Sequence, residues 1–357
     1  MFQHFLESLN NYSQKDQVFG KQLVRHLEFG KQNNLPFYAV HGFCTDGGVA
    51  GSMLRYAYPE AHIVPLDYTT LKNEYIRPLL QDIEWHGIVD LEPFNDKIVS
   101  WYVDHHQSVV GLPIKAKKIR FDADGDSGSF QLLKSGFIPE LSKELVEIAV
   151  MTRITDTAGY KTDAPTDLLT RLSDLKITTT EGEEGRKQYE QRVWLLDDAW
   201  STVNDLHDQL NLHKYLAADG FYGIEKVLPQ INEKRKFRKI NYDVANNIDI
   251  TSDTIIFVYP DEKYDRFAID RKLQRRGVAF TVSLARVAAG VKISMRRSKF
   301  REEELGDIYL NELAKNLNGG GHPGASGGFS SSESEAIDII KEWMAKRGYS
   351  VQIVELD

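Results

Sequence analysis

The chain has 357 residues, 41% hydrophobic and 27% charged, with a formal net charge of −8. That length can carry two domain-sized cores, and the negative charge argues against a global electrostatic hold on a long nucleic-acid strand. A single cysteine excludes an internal disulfide framework and a cysteine-only zinc site.

No apolar run reaches the roughly 18–20 residues of a membrane span. Met1-Phe2-Gln3-His4 lacks the basic and apolar regions of a signal peptide. A cytoplasmic protein with no membrane partner is therefore expected.

Residues 1–35 predict amphipathic helix, with Phe5, Leu6 and Leu9 and later Val18, Leu23, Val24 and Leu27. Pro36-Phe37-Tyr38-Ala39-Val40 reads as a short buried strand. Gly47-Gly48 opens a helix that runs through Tyr56. Ile63 to Leu66, Gly87 to Leu91 and Ile98 to Val103 read as further buried strands. Strands separated by helix-sized segments predict βαβ units and a parallel sheet.

Residues 141–153 read as a helix leading to Ile154-Thr155-Asp156. Residues 164–245 are polar and helix-like. There Trp194, Leu195, Trp200, Leu206, Leu210 and Tyr215 fit a helical core better than a ligand box. The basic run Lys234 to Lys239 fits a solvated helix face better than a phosphate contact.

Strand signals return at Thr254 to Tyr259, Val278 to Val282 and Val291 to Ser294. A helix pattern follows from Ile308 to Leu317, interrupted by the glycine-rich stretch 319–328. The predicted fold class is α/β with two domains. An N-terminal parallel-sheet domain (1–165) and a smaller C-terminal α/β domain (249–357) are joined by a helical connecting segment (166–248).

Four apolar stretches of the first domain end in polar groups and are read as strand ends. They lead to His41 through Asp46, to Asp90, to Asp104-His105-His106 and to Asp156. In a parallel sheet all four ends can share one edge, where open α/β sheets place their sites. Acids and imidazoles gathered there repel or desolvate one another unless cations join them, and carboxylate with neutral imidazole suits Mn, Zn or Fe(II). Two such ions can activate a water and clamp a transferred phosphoryl group. The glycines after Asp46 would let a helix N-terminus approach an anion.

Asp122-Ala123-Asp124-Gly125-Asp126 resembles a calcium loop but has Leu133 where an EF-hand needs its twelfth-position Glu. It reads as a turn and N-cap cluster before a helix over 128–134. His62, His86, His207 and His213 have no companion ligands nearby in sequence.

The order of these motifs resembles the DHH phosphoesterase superfamily: His41 to Asp46-Gly47, then Asp90, then Asp104-His105-His106, then Asp156. In the C-terminal region, Ser294-Met295-Arg296 followed by Gly319-Gly320-Gly321-His322 is similar to the DHH-associated nucleotide-binding domain of the first type. The helical middle carries none of the resemblance.

The resemblance implies that Asp46, Asp90, His105 and Asp156 ligate Mn²⁺, with Asp90 bridging, and that His41 ligates a second ion. It implies that His106 stands beside the scissile phosphate and that Asp104 orients the pair. Two Mn²⁺ per site are expected, with Mg²⁺, Zn²⁺ or Co²⁺ as alternatives. Family members often carry an Asp where Cys44 stands here. A thiolate there could serve Zn²⁺ better than Mn²⁺, but a small buried filler is the preferred reading of Cys44. Ser294, Arg296, Gly319, Gly320, Gly321 and His322 are expected to bind substrate, with Arg296 preferred over Arg297.

The expected function is a metal-dependent phosphodiesterase that hydrolyses short oligonucleotides or linear dinucleotides to nucleoside monophosphates through a dimetal-activated water. A polyphosphatase or related phosphoanhydride hydrolase, or a non-catalytic nucleotide-binding protein on the same fold, stays open. The expected partner is the short substrate, with no long nucleic acid; a homodimer is compatible with the sequence.

Overall fold

A computed structural model describes residues 14–73, 76–106, 109–123, 125–156, 182–260, 263–287, 290–306, 308–322 and 324–356. The helix expected around Phe5, Leu6 and Leu9, Asp124 of the acidic turn, and residues 164–181 of the polar middle lie outside them. The chain divides into two compact units, one up to Lys234 and one from Arg235.

The first unit is built on a five-stranded sheet of β1 (Phe37–His41), β2 (His62–Leu66), β3 (Trp85–Val89), β4 (Ile98–Asp104) and β5 (Lys118–Phe121), in the order β2-β1-β3-β4-β5. Every pairing is parallel. Both faces are covered, so the inner strands read as nearly unbroken apolar runs. Val40, Val89 and Val103 enter one core, and Ala39, Ile88 and Tyr102 the other.

Register sets the position of the site. Val40 pairs with Val89, and Val89 with Val103. The next residues, His41, Asp90 and Asp104, therefore stand together at the C-terminal edge of the sheet. This strand order reverses direction between β1 and β3, the switch point at which such sheets open a crevice.

The helices of this unit are α1 (Gln14–Gln32), α2 (Thr45–Ala57), α3 (Gly128–Ser135), α4 (Lys143–Asp156), α5 (Gly182–Ser201) and α6 (Leu206–Asp219), besides shorter turns. From the helical connecting segment expected over 166–248, Val193, Leu196, Ala199, Trp200, Leu212 and Leu216 share one core with Val40, Val49 and Ile148. Helix α7 (Leu228–Asn246) carries the basic run 234–239, and the division between units falls within it.

The second unit holds a six-stranded sheet of β6 (Thr254–Pro260), β7 (Phe280–Val287), β8 (Gly290–Arg297), β9 (Gly320–His322), β10 (Ala325–Ser330) and β11 (Val351–Glu355), ordered β11-β6-β7-β8-β10-β9. Helices α8 (Arg266–Arg275), α9 (Leu310–Lys315) and α10 (Glu333–Ala345) accompany it. The glycine-rich stretch read as an interrupting loop is an antiparallel strand pair, β9 with β10. Glycines at 320, 321, 327 and 328 hide the alternation that would mark strands, and β8 templates β10 through six pairs. Among the described residues no helix is long and apolar enough to cross a membrane.

Candidate active site

His41 is the last residue of β1. The chain turns through Phe43, held at φ 60° in the left-handed region, to Cys44, the N-cap of α2. The Cys44 Sγ accepts the Gly47 N–H at 3.2 Å. A Cβ on Gly47 would lie 2.1 Å from the His41 carbonyl oxygen, and one on Gly48 2.4 Å from Trp200. Close packing thus accounts for this glycine pair. Asp46 lies in the first turn of α2.

Asp90 follows β3 at φ 61°, its N–H bonded to the Val103 carbonyl at 3.0 Å. Asp104 ends β4. Its Oδ1 accepts the His105 N–H at 2.8 Å and the His106 N–H at 3.3 Å, and stands 2.7 Å from His106 Nδ1. Its Oδ2 accepts the Tyr102 hydroxyl at 2.8 Å.

Asp156 departs from the sequence reading. It is not at a strand end but is the last residue of α4. Ile154 and Thr155 look strand-like in isolation, yet they continue the buried helical series Leu145, Ile148, Ala149 and Thr152. A carboxylate at a helix C-terminus opposes the macrodipole, so a cation beside it would offset an unfavourable position.

Asp90 is the centre of the cluster. Its Oδ1 lies 3.2 Å from His105 Nε2 and 3.7 Å from His106 Nδ1. Its Oδ2 lies 3.5 Å from His41 Nδ1 and 3.6 Å from Cys44 Sγ. His105 Nε2 also stands 3.7 Å from Asp46 Oδ2 and 3.4 Å from Asp156 Oδ2. Two donor groups result: Asp46, Asp90, His105 and Asp156 on one side, and His41, Cys44 and Asp90 on the other.

A divalent cation fits the first group on the evidence of its own atoms. His105 Nδ1 lies 3.1 Å from the Gly125 carbonyl, which as a pure acceptor fixes the proton on Nδ1. That leaves the Nε2 lone pair facing three carboxylates. Buried His105 Nε2 and Asp90 Oδ1 complete no hydrogen bond among the described residues despite their 3.2 Å approach. Asp46, Asp90 and Asp104 are 1%, 1% and 0% exposed, so water cannot screen their charge.

Without cations the cluster retains protons. Burial, then Asp90 and Asp156, pushes the Asp46 carboxyl well above its usual range. Burial opposes charge on His105, but Asp90, Asp46 and Asp156 outweigh it and raise the imidazole to about 10. Burial likewise opposes charge on Asp90, which His105 and His41 nevertheless hold below the carboxylate range. His106 is also raised, with burial overcome by Asp104 and Asp90. Burial pushes the Cys44 thiol up to about 11.

No family model matches the sequence, and no curated protein matches it. Solved structures do. The pGpG-specific phosphodiesterase PggH from Vibrio cholerae shares 13% identity over 88% of this chain and 99% of its own, with a TM-score of 0.53. Exonuclease RecJ bound to manganese shares 16% over 91% and 94%, with a TM-score of 0.56. The DHH domain of a member of the s1p family of ribosomal proteins shares 14% over 94% and 92%, with a TM-score of 0.53. The chain has the DHH phosphoesterase fold.

Within this DHH fold, several supports lie far from the motifs. The Asp46 carboxylate accepts the Gly128 N–H at 2.5 Å, the Ser129 N–H at 2.9 Å and the Ser129 hydroxyl, all at the start of α3. Thr152 ties this turn together through Ser127 at 3.0 Å and Ser129 at 2.6 Å. Ser127, not one of the neighbouring acids, is the N-cap of α3. An N-cap serine followed by a second serine was a readable signal here.

The helical middle also braces the His41–Asp46 loop. Gln209 Oε1 accepts the Phe43 N–H at 3.2 Å, and Thr45 donates to Asp197 at 2.8 Å. No local pattern announces contacts across more than 150 residues.

In the second unit of the DHH fold, Ser294 and Arg296 lie on β8. Register aligns Ser294 with Gly327 and Gly320, and Arg296 with Ala325 and His322. Gly319 precedes β9, its N–H bonded to the Ala314 carbonyl at 2.9 Å, and Gly321 pairs with Ser326. The Arg296 guanidinium lies 5.0 Å from the Phe267 ring centroid, and its buried Nε has no partner among the described residues. Arg297 instead donates to the Gly306 carbonyl at 2.7 Å.

Proposed function

We propose that this protein is a metal-dependent phosphodiesterase that hydrolyses short oligonucleotides or linear dinucleotides to nucleoside monophosphates. The observation that carries the proposal is Asp90, whose two carboxylate oxygens face separate donor groups while His105 Nε2 and Asp90 Oδ1 stay buried and unsatisfied.

Asp46, Asp90, His105 and Asp156 would hold one divalent ion, and His41 with Asp90 a second, with Mn²⁺ the first choice. Bound there, two such ions supply positive charge at the phosphoryl oxygens and lower the pKa of water enough for attack.

The chain's own groups do the rest. Asp104 fixes His106 through Nδ1, which keeps the ring charged and oriented as a donor to a phosphate oxygen. Asp104 itself is buried and spent on bonds to the two histidines and Tyr102, so it positions rather than reacts. Ser129 and the start of α3 restrain Asp46, leaving it one direction for a ligand bond. Arg296 is the leading substrate group of the second unit, joined by Ser294, Gly319, Gly320, Gly321 and His322. A guanidinium beside the exposed Phe267 ring suits a phosphate next to a base.

The net charge of −8 favours a short ligand over a long strand. The likeness to a pGpG-specific phosphodiesterase and to an exonuclease supports the same substrate class.

The test is a Mn²⁺ reaction panel read by product mass, with linear dinucleotides, longer oligonucleotides, cyclic dinucleotides and polyphosphate. The proposal expects nucleoside monophosphates from the dinucleotides first. Phosphate released from polyphosphate alone would contradict it, as would binding of all four with no product.

A further inference from the structure

We propose that Cys44 is a metal ligand, and that His41, Cys44 and Asp90 form a thiophilic subsite that takes Zn²⁺ in preference to Mn²⁺. The oxygen-rich group of Asp46, Asp90, His105 and Asp156 beside it keeps the preference for Mn²⁺. The centre is then built for two different ions sharing the Asp90 carboxylate. This rests on the metal-dependent reading above.

The geometry starts from three atoms. Cys44 Sγ lies 3.3 Å from His41 Nδ1 and 3.6 Å from Asp90 Oδ2, and those two lie 3.5 Å apart. A tetrahedral ion with bonds of about 2.0–2.3 Å needs its N, O and S donors about 3.3–3.7 Å apart. The three observed edges fall within that range.

The surroundings of the sulfur also argue against an inert filler. Its neighbours are polar: an imidazole nitrogen, a carboxylate oxygen, the Gly47 N–H at 3.2 Å and the His41 carbonyl at 3.9 Å. The Gly47 N–H and the start of α2 offset part of the cost of a buried negative sulfur, and a cation in contact with it would supply the rest. On coordination the S–H proton passes to solvent, and sulfur replaces one hydrogen-bond partner with one metal bond.

Donor chemistry then sets the ion. Thiolate with imidazole selects Zn²⁺ or Co²⁺, whereas a set of three carboxylates with one imidazole suits Mn²⁺ or Mg²⁺. An Asp at position 44 would make both halves oxygen-rich and remove the difference.

The experiment uses the full chain, stripped of metal and kept reduced, titrated with Co²⁺. Bound Co²⁺ is counted by native mass spectrometry, and thiolate-to-cobalt charge transfer is followed in the near ultraviolet. Wild type should develop the band and lose it on adding one equivalent of Zn²⁺ but not excess Mn²⁺. Cys44→Ser should bind Co²⁺ without the band, and Cys44→Asp should weaken Zn²⁺ at least tenfold relative to Mn²⁺.

Wild type that binds two Co²⁺ with no band overturns the Cys44 subsite and leaves the dimetal reading standing. Wild type that binds no Co²⁺ overturns that reading and the subsite with it. The Zn²⁺ displacement needs only wild type, so a variant that fails to fold does not stop the test.

Discussion

Asp90 Oδ1 and His105 Nε2 stand 3.2 Å apart in the buried heart of the first unit, and neither completes a hydrogen bond. With His105 neutral and donating from Nδ1 to the Gly125 carbonyl, both are acceptors, a costly pair in a low dielectric. Without a cation a proton on the imidazole relieves that cost, and a divalent ion between the two atoms would take the proton's place.

Mn²⁺ should therefore raise the melting temperature, because an ion that binds only the folded state stabilises it by about 2.7 kcal/mol at a hundredfold excess over its Kd. Asp90→Asn should abolish that metal-induced shift and lower activity by roughly a thousandfold or more, since it touches both donor groups. Without metal, the variant should melt below wild type, because Asp90 is the carboxylate that His105 and His41 pair with. Melting curves with and without Mn²⁺ check the stability changes, and initial rates on a linear dinucleotide check the loss of activity.

Asp104→Asn keeps the volume but loses the charge that holds His106. Turnover should fall about a hundredfold with little change in KM, and the His106 imidazole should titrate at lower pH. Steady-state kinetics and the histidine NMR titration give the two values. A variant with unchanged turnover would remove His106 and Asp104 from the reaction.

Gln209→Ala removes the acceptor of the Phe43 N–H. Leaving that partly buried donor unpaired costs about 1–3 kcal/mol and loosens the turn between His41 and Cys44. Mn²⁺ affinity and turnover should fall together, whereas Gln209→Glu, which keeps an acceptor oxygen, should restore much of both. Calorimetric titration with Mn²⁺ is the readout. Equal losses in the two variants would speak against a positioning role.

How far the sequence revealed this site depends on distance along the chain. The tripeptide and the apolar runs ending at His41, Asp90 and Asp104 were legible because a parallel sheet buried on both faces leaves continuous apolar strands. Strand β5, Lys-Ile-Arg-Phe at a sheet edge, has no such signature. Asp156 could be singled out from the sequence and stands 3.4 Å from His105, but its place at a helix terminus was hidden, because β-branched Ile154 and Thr155 mimic a strand end. Gln209 and Asp197 leave no local trace, since their partners lie more than 150 residues away. The paired glycine strands of the second unit hide because glycine carries no side chain to alternate.

Acid should destabilise the protein through its buried neutral histidines. Burial, then Arg55 and His26, lowers the His213 imidazole to about 3, and burial, then His26, lowers His62 to about 4. An unfolded histidine titrates near 6.5. Below that pH the unfolded chain binds protons that the folded chain refuses at these two sites, so their contribution to stability falls as pH drops from about 6.5 toward 4. His213 alone should contribute on the order of 3 kcal/mol to the loss by pH 4. His213→Met gives up no hydrogen bond, because both ring nitrogens lack partners among the described residues, and it should flatten the decline. Urea midpoints from pH 4 to 7.5 measure it; parallel curves for the two proteins would refute it.

The central claim is that divalent ions between Asp90 and its two donor groups make this a phosphodiesterase. Its most direct test is turnover of a linear dinucleotide by protein verified free of metal, then by the same sample after adding back Mn²⁺. The account predicts no nucleoside monophosphate before addition and rapid release after it. Full-rate cleavage by the metal-free protein, or none after Mn²⁺ is restored, would contradict it.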